Sequence, residues 1–497
     1  MKRRDFLKGL GAATAAAAVP SVFSGAARAG NSSDGPAPNI VFILADDLGY
    51  GDPGCFNADS KIPTPNIDSL AQQGIRFTNA HAPGTWCSPS RYGLLTGRFP
   101  LRAEIRKIRR TRGIEPGRMT VGSLLQQNGY RTACVGKWHL GFEDGWKDRD
   151  WSRPMRGGPV DCGFDYYFGI PASLDIPPYY YIENDRCVAP PTENVAANST
   201  EGVTPIQGAF WREGKMSPGF RFDSVLPTLF DKSAEFIRRQ HENRSDQPFF
   251  LYLPLSGPHT PWLPTTQFEG QSEAGMYGDF ATQVDDGVGR ILKLLDRLGL
   301  TENTLVFFSS DNGPVWFDVD EERYGHKSVG PLRGMKADAW EGGHRMPFVA
   351  RWPGHIPAGS TSDQVICFTD MLATFAELVN EDLPDEAGVD SFNILPTMLS
   401  GGSEEAPHGP VVIENRAIID GKWKLIKGSG MGGLHRNFDP DLKKSGKKPE
   451  KPEGELYNLA EDIDESNNLY EERPEVVERL KATMQRVKKQ GRTRPKR

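Results

Sequence analysis

The sequence predicts a large α/β domain, a mostly parallel sheet sandwiched by helices, followed by a smaller C-terminal α+β subdomain carrying a short antiparallel sheet. Three observations lead there. The short apolar runs are continuous rather than alternating, as strands covered on both faces must be. Helical patterns fall between them in order, which favours parallel strands joined by crossover helices. With 54 Gly and 39 Pro in 497 residues the chain is rich in loops, yet long enough to bury a large core.

Residues 40–44 open the sheet, and 132–135, 249–253 and 305–308 read as further core strands. Each run is short, as strands are and helices usually are not. Between them the apolar spacing predicts helices over 66–73, 120–128, 226–241 and 277–298, so one large domain spans 37–385. From 386 to 497 the texture changes. Residues 410–413 and 422–426 flank a segment containing Asp420-Gly421, a hairpin-turn pair. A Lys/Pro/Gly-rich stretch over 443–454 reads as an exposed loop, 455–459 as a strand, and 474–489 as a closing helix before a basic tail.

The first residues read as an address. Arg3-Arg4-Asp5-Phe6-Leu7-Lys8 precedes a mild apolar run, and Ala27-Arg28-Ala29 supplies a small-x-small cleavage site. Residues 1–29 therefore read as a twin-arginine signal, cleaved near Ala29, that sends the chain through the twin-arginine translocase to the periplasm or beyond. The run is short, Ala-rich and broken by Pro20, and no later stretch has the length of a membrane span, so stable membrane insertion is not expected. Net charge of −6, from 59 Lys+Arg against 65 Asp+Glu, argues against a nucleic-acid binder. Six cysteines are too few for a disulfide scaffold in a chain this long.

Each predicted core strand ends in groups that a core does not need. The tails are Asp46-Asp47-Leu48-Gly49, Lys137-Trp138-His139, Ser256-Gly257-Pro258-His259 and Asp311-Asn312-Gly313. Ligands of open α/β sheets sit outside the carboxyl ends of the strands, so these four tails should converge on one crevice. Asp46, Asp47, Asp311 and Asn312 offer hard oxygen atoms, which suit Ca²⁺ or Mg²⁺ better than Zn²⁺. Neighbouring strand residues face opposite sides, so each pair can share one ion only where the chain leaves the sheet; the glycines that follow permit this.

Cys87-Ser88-Pro89-Ser90-Arg91 is the sharpest element. Pro89 suits a first helical turn, and Gly97 stops a helix running to about Thr96. Cys87 then lies at a helix N-terminus, which favours an anion, with Arg91 one turn on. Three residues separate Cys87 from Arg91, whereas a cysteine-based phosphatase loop needs five.

Cys87-x-Pro89-Ser90-Arg91 followed by Leu94-Leu95-Thr96-Gly97-Arg98 resembles the signature of type I sulfatases, of the alkaline-phosphatase superfamily. Asp46-Asp47, Lys137/His139, His259, Asp311-Asn312, and Gly334-Met335-Lys336 ahead of Glu341-Gly342-Gly343 fall in that family's order. The resemblance implies an alkaline-phosphatase-like fold and a Ca²⁺, with Mg²⁺ less suited, held by Asp46, Asp47, Asp311 and Asn312. It implies oxidation of Cys87 to Cα-formylglycine by a maturation enzyme, with the modified Cys87 beside the metal. Arg91 and Lys137 would steady the aldehyde hydrate, His139 act as base in the release step, and His259 and Lys336 grip the sulfate and assist the leaving oxygen. Such a site suits a stable anion, because fixed cations in a water-poor crevice act where charge develops.

Export, a basic run with Arg102, Arg106, Lys107, Arg109, Arg110, Arg112 and Arg118, and aromatics at Tyr166-Tyr167-Phe168 and Tyr179-Tyr180-Tyr181 favour a sulfated carbohydrate over a small aryl sulfate. Trp262, His326, Arg333 and His344 are candidate pocket residues. The alternatives are a phosphatase or phosphonate monoester hydrolase of the same superfamily, and a catalytically silent exported polysaccharide-binding protein. If Cys87 is modified, five thiols remain, an odd number.

Overall fold

A computed structural model describes residues 36–497 apart from 109, 148, 201–203, 244–245, 406–407, 447–450 and 497, and omits the side chain of Arg106. The export signal over 1–29 lies outside the described residues. At the centre lies β1 (Asn39–Asp46), buried along its whole length. Its parallel neighbours are β5 (Phe249–Pro258) on one side and β6 (Thr304–Ser310) on the other. β3 (Arg131–Lys137) pairs parallel with β5, and β4 (Tyr166–Ile170) parallel with β3. Beyond β6 the sheet continues through antiparallel β7 (Arg345–Arg351) to β2 (Ile75–His81). Short strands complete both edges of an 11-stranded sheet.

Alternate residues of β1 explain the continuous apolar run. Ile40, Phe42 and Leu44 belong to one core and Val41, Ile43 and Ala45 to the other. The first core lies under α2 (Cys87–Thr96), α3 (Val121–Gln127) and α6 (Met371–Leu378). The second lies under α1 (Pro65–Gln72), α4 (Val225–Asn243) and α5 (Gly275–Arg297). The helix boundaries expected from spacing agree with these within a turn. The Asp285 carboxylate of α5 accepts the backbone N–H groups of Asn66 and Ile67, satisfying orphan donors at the start of α1 from a neighbouring helix.

The C-terminal residues form a four-stranded antiparallel sheet in the order β8 (Val411–Ile413), β9 (Ala417–Asp420), β10 (Trp423–Lys427), β11 (Gly454–Asn458). Asp420 pairs with Trp423 across the turn, with Gly421 in the left-handed region. One hairpin was legible there; β9 adds a second, with β8. The stretch over 443–454 is not loop throughout, because Lys443, Lys444 and Ser445 end a helix, Pro440–Ser445. Asp439 starts it by accepting from Asp441 N and Leu442 N, a cap followed by Pro at the first helical position. α7 (Pro474–Gln490) closes the third core against this sheet, and that core takes in Phe99 and Trp340. The tail is tied down: Arg492 donates to Asp385 O and Arg494 to Gly388 O.

Sheet packing is very close one residue before Lys137. Gly136 has φ 146°, and a Cβ there would lie 1.8 Å from the Pro254 carbonyl oxygen of β5. Gly136→Ala should therefore lower unfolding stability by about 2–3 kcal/mol, measured as a downward shift of the urea midpoint. An unchanged midpoint would show that β3 and β5 can part at no cost.

Candidate active site

The four polar strand tails converge with the N-terminus of α2, on a crevice of about 1010 Å³ that Cys87, His139, His259 and Lys336 line. β1 falls out of register with β5 between Leu44 and Asp46, and Asp47 adopts φ 64°. The turn that brings both carboxylates to one place is thus made at Asp47 itself, before any glycine. Gly49 serves another purpose: a Cβ there would lie 2.0 Å from the Ser328 carbonyl oxygen. His139 likewise takes φ 53° just past β3.

Three buried carboxylates face three buried cations. Lys137 pairs with Asp46 Oδ2, and its Nζ stands 3.3 Å from Cys87 Sγ. Lys336 Nζ reaches both Asp47 oxygens, at 2.6 and 2.7 Å, and stands 3.6 Å from the same sulfur. Arg91 donates from Nε at 2.9 Å to Asp311 Oδ2 and from Nη1 at 2.6 Å to the Lys137 carbonyl, and its Nη2 forms an ion pair with the same Asp311 oxygen at 2.7 Å. Cys87 Sγ is 3.4 Å from Asp46 Oδ1. The His259 Nδ1–H donates to the Thr260 carbonyl at 2.6 Å, which turns Nε2 toward Asp47 Oδ2, 3.6 Å away.

These charges reset one another. Burial alone would raise the Asp46 carboxyl, but Lys137, His259, Arg91 and Lys336 together hold it well below the usual carboxylate range. Burial, then repulsion from Asp46, pushes Asp311 up to about 6 against Arg91 and Lys137. Burial would lower Lys137 and Lys336, but Asp46 and Asp47 respectively raise them. Desolvation, with Lys137 and Arg91, holds His139 well below the ordinary imidazole value, so its ring is neutral, and the buried Nδ1 has no partner. Burial, with Asp311 and Asp46, pushes the Cys87 thiol up.

The donor set fits a hard divalent cation. Asp46, Asp47 and Asp311 are 0, 3 and 0% exposed. Asp46, Asp47, Cys87 and His259 offer ligand atoms within 4.8 Å of one another. Asn312 donates from Nδ2 to Asp47 Oδ1 at 2.7 Å while its own Oδ1 is buried without a partner, an unused hard oxygen among carboxylates.

Four other expected pocket residues do not line this crevice. His326 is fully buried, with Nε2 2.8 Å from Asp52 Oδ1. Trp262 packs on Tyr277 in the second core. Arg333 lies three residues before Lys336, but Gly334 at φ 84° turns it away, onto the Trp340 ring at 3.8 Å and the Glu465 carbonyl at 2.7 Å. His344 is sealed among His81, Lys424 and Glu341. The aromatics expected to favour a sugar are also largely core: Tyr167, Phe168, Tyr179 and Tyr180 are all buried, and Tyr181 stacks on Phe168. The basic run is largely engaged elsewhere, Arg102 by Asp390, Arg112 by Glu143 and Arg118 by Glu115. Of its described side chains only Lys107 lines the crevice, paired with Glu104.

Sequence reasoning missed the brace supplied by the C-terminal sheet. The β8–β9 turn enters the crevice wall with Glu414 and Arg416. Glu414 Oε1 accepts from Thr85 N and Oγ1, both at 3.1 Å, two residues before Cys87. Arg416 Nη1 donates at 2.6 Å to the carbonyl of Ala337, the residue after Lys336, which is held at φ 75°. Asp338 then accepts from Met335 N and Gly432 N and pairs with His435 Nδ1 at 2.9 Å. No local pattern marks these residues, because their partners lie about 80 to over 300 positions away.

A mostly parallel α/β sheet whose strand ends gather a buried cysteine at a helix N-terminus, a hard-oxygen cradle and buried cations defines a hydrolase of anionic esters, built on the alkaline-phosphatase-like plan. The sulfatase family model matches residues 38–381, and the chain belongs to that family: it is a sulfuric ester hydrolase. It is 34% identical to N-acetylgalactosamine-6-O-sulfatase of Bacteroides thetaiotaomicron over 504 residues, covering 92% of this chain and 94% of the relative. N-acetylgalactosamine-6-sulfatase of Rattus norvegicus is 36% identical over 381 residues, 74% of this chain and 67% of the relative. A solved Bacteroides thetaiotaomicron sulfatase structure, described with the metabolism of multiple glycosaminoglycans, matches with a TM-score of 0.79 at 32% identity, covering 92% of this chain and 100% of the other. Residues 1–20 match the twin-arginine translocation signal, which addresses the chain to the periplasm. Among the described residues no helix is long and apolar enough to cross a membrane.

Two outcomes test the brace. Arg416→Ala should lower kcat about tenfold or more by releasing the Lys336 turn, with KM little changed and partial recovery in Arg416→Lys; an unaltered kcat would remove Arg416 from the site. At His435, burial would lower the ring's pKa, but Asp338, Asp439 and Asp318 raise it above the ordinary value. The protonated ring therefore contributes stability that is full below about pH 6.5 and is lost as pH rises through the raised folded value. His435→Gln should flatten that loss in thermal melts from about pH 6 to pH 9; parallel curves would contradict the assignment.

Proposed function

We propose that the chain removes 6-O-sulfate from N-acetylgalactosamine-type sugars, using Cys87 converted to Cα-formylglycine beside a bound Ca²⁺. The observation that carries this reading is the 34% identity to N-acetylgalactosamine-6-O-sulfatase across 92% of one chain and 94% of the other. Asp46, Asp47, Asp311 and the Asn312 side-chain oxygen would hold the ion. Formylglycine would supply, as its hydrate, the hydroxyl that attacks sulfur, and Ca²⁺ the charge that favours that hydroxyl's ionised form.

The remaining work falls to this chain's own side chains. Lys137 and Lys336 stand beside residue 87, 3.3 and 3.6 Å from its side chain, and hold negative charge arriving there. Arg91 fixes Asp311 and the backbone of Lys137, so it orients both without touching bulk water. His259 has Nδ1–H engaged by Thr260, so Nε2 is the atom that passes a proton to the departing sugar oxygen. His139, neutral and with Nδ1 unpartnered, takes a proton in the release step. The maturation enzyme and the translocase act before this chemistry, on the unfolded and the folded chain respectively.

The test uses protein made with a maturation system and exported. Mass spectrometry of the peptide bearing residue 87 should find the aldehyde, and sulfate should be released from N-acetylgalactosamine 6-sulfate at least tenfold faster than from the 4-sulfate. Cys87→Ala should lose about 10⁴-fold or more of the activity while keeping its unfolding midpoint. A retained thiol in active enzyme, or release from the 4-sulfate alone, would overturn the reading.

A further inference from the structure

We infer that Arg212 and Asp175 form a hydroxyl-recognition pair that selects a sugar as the alcohol part of the ester. The inference rests on the carbohydrate sulfatase reading above and concerns a part of the crevice away from the buried charges around Cys87. The crevice, about 1010 Å³, is far larger than a sulfate group, so most of its wall faces the rest of the substrate.

Most cations along that wall are already engaged. Lys336 is held by Asp47, Lys107 by Glu104, and Arg416 by the carbonyls of Ala337 and Gly430. Arg212 differs. Its side chain is 51% exposed, yet its direction is set: Nη1 donates to the carbonyl oxygen of Asp175 at 2.9 Å and to Oδ2 at 2.5 Å. The guanidinium lies 5.0 Å from the Phe210 ring centroid, and the Arg212 carbonyl accepts from the Tyr179 hydroxyl at 2.7 Å. Among the described residues Nε and Nη2 have no hydrogen-bond partner, so a planar fork of donors is left over and preorganised.

Asp175 supplies the complement. The residue is only 9% exposed, lines the same crevice, and its Oδ1 is buried without a partner. A carboxylate oxygen in that state calls for a donor. A second anion would be repelled by it, and an aryl ring offers it nothing. A sugar hydroxyl both donates and accepts, so it satisfies Asp175 and Arg212 together. Phe210 and Ile176, in the same wall, give the apolar C–H face of a sugar ring a surface to rest on. The structure thus places donor, acceptor and apolar platform side by side.

The experiment compares matured Arg212→Ala, Arg212→Lys and Asp175→Asn with the parent enzyme on two substrates, N-acetylgalactosamine 6-sulfate and 4-methylumbelliferyl sulfate. On the sugar, KM should rise about tenfold or more in Arg212→Ala and Asp175→Asn with kcat changed less. Arg212→Lys should recover little, because a point charge lacks the fork. The aryl sulfate has no hydroxyl for the pair and should be cleaved with kcat/KM within about twofold of the parent. Equal losses on both substrates would reduce the pair to a structural role, and no loss on either would remove it from the site; both outcomes overturn the inference and leave the sulfatase reading standing. A parent enzyme that cleaves the aryl sulfate but no sulfated sugar would overturn the carbohydrate reading, and the pair with it.

Discussion

Burying Asp46, Asp47 and Asp311 beside one cysteine is the constraint on which the rest of the structure depends. Charged groups that deep are tolerated only when paired and hydrogen-bonded. The chain answers with Arg91 of α2, Lys137 of β3 and Lys336 of a turn. Three negative and three positive side chains leave the protein's own contribution near neutral. A divalent cation in the cradle would tip the balance to a surplus of two positive charges. That surplus would match what the proposed reaction brings in, a sulfate monoester anion and an ionised hydroxyl. Charge matching of this kind favours the reacting complex over either partner alone.

Holding six charged groups in register takes unusual backbone. Asp47, His139 and Ala337 all lie in the left-handed region, as does Glu414 in the hairpin that braces the site. Each costs free energy that the surrounding packing must offset. The offset comes from both parts of the chain: the parallel sheet fixes Asp47 and His139, while the β8–β9 turn fixes Ala337 and the approach to Cys87. The C-terminal sheet therefore helps to position Cys87 and Lys336. Lys424 of β10 makes the same connection one layer deeper, pairing with Glu341 and Glu465 where all three are buried.

The sheet and its crevice were legible because covered parallel strands need continuous apolar runs, and because polar tails at their ends have no structural reason to recur. β2 and β7 were not read from the sequence. β2 mixes Arg76, Thr78 and Asn79 with apolar residues and lies toward the edge, so it lacks the continuous run that marked the central strands. Residues at the tails, such as Asp46 and Lys137, were visible through their place beside a strand. His326 and His344 carried no comparable signal: a histidine in a loop looks the same whether it faces a crevice or a buried acid. Asp175, Arg212 and Arg416 were invisible for the opposite reason, since their roles arise from segments that meet only in the folded chain.

Metal content is the most direct test of the arrangement around Cys87. Matured enzyme, dialysed against metal-free buffer and analysed by atomic emission, should retain about one Ca²⁺ per chain. Asp311→Asn and Asn312→Ala should both lower that occupancy and the sulfate-releasing activity together. Fully active enzyme that holds no divalent cation, after exhaustive chelation, would contradict the role assigned to the buried carboxylates.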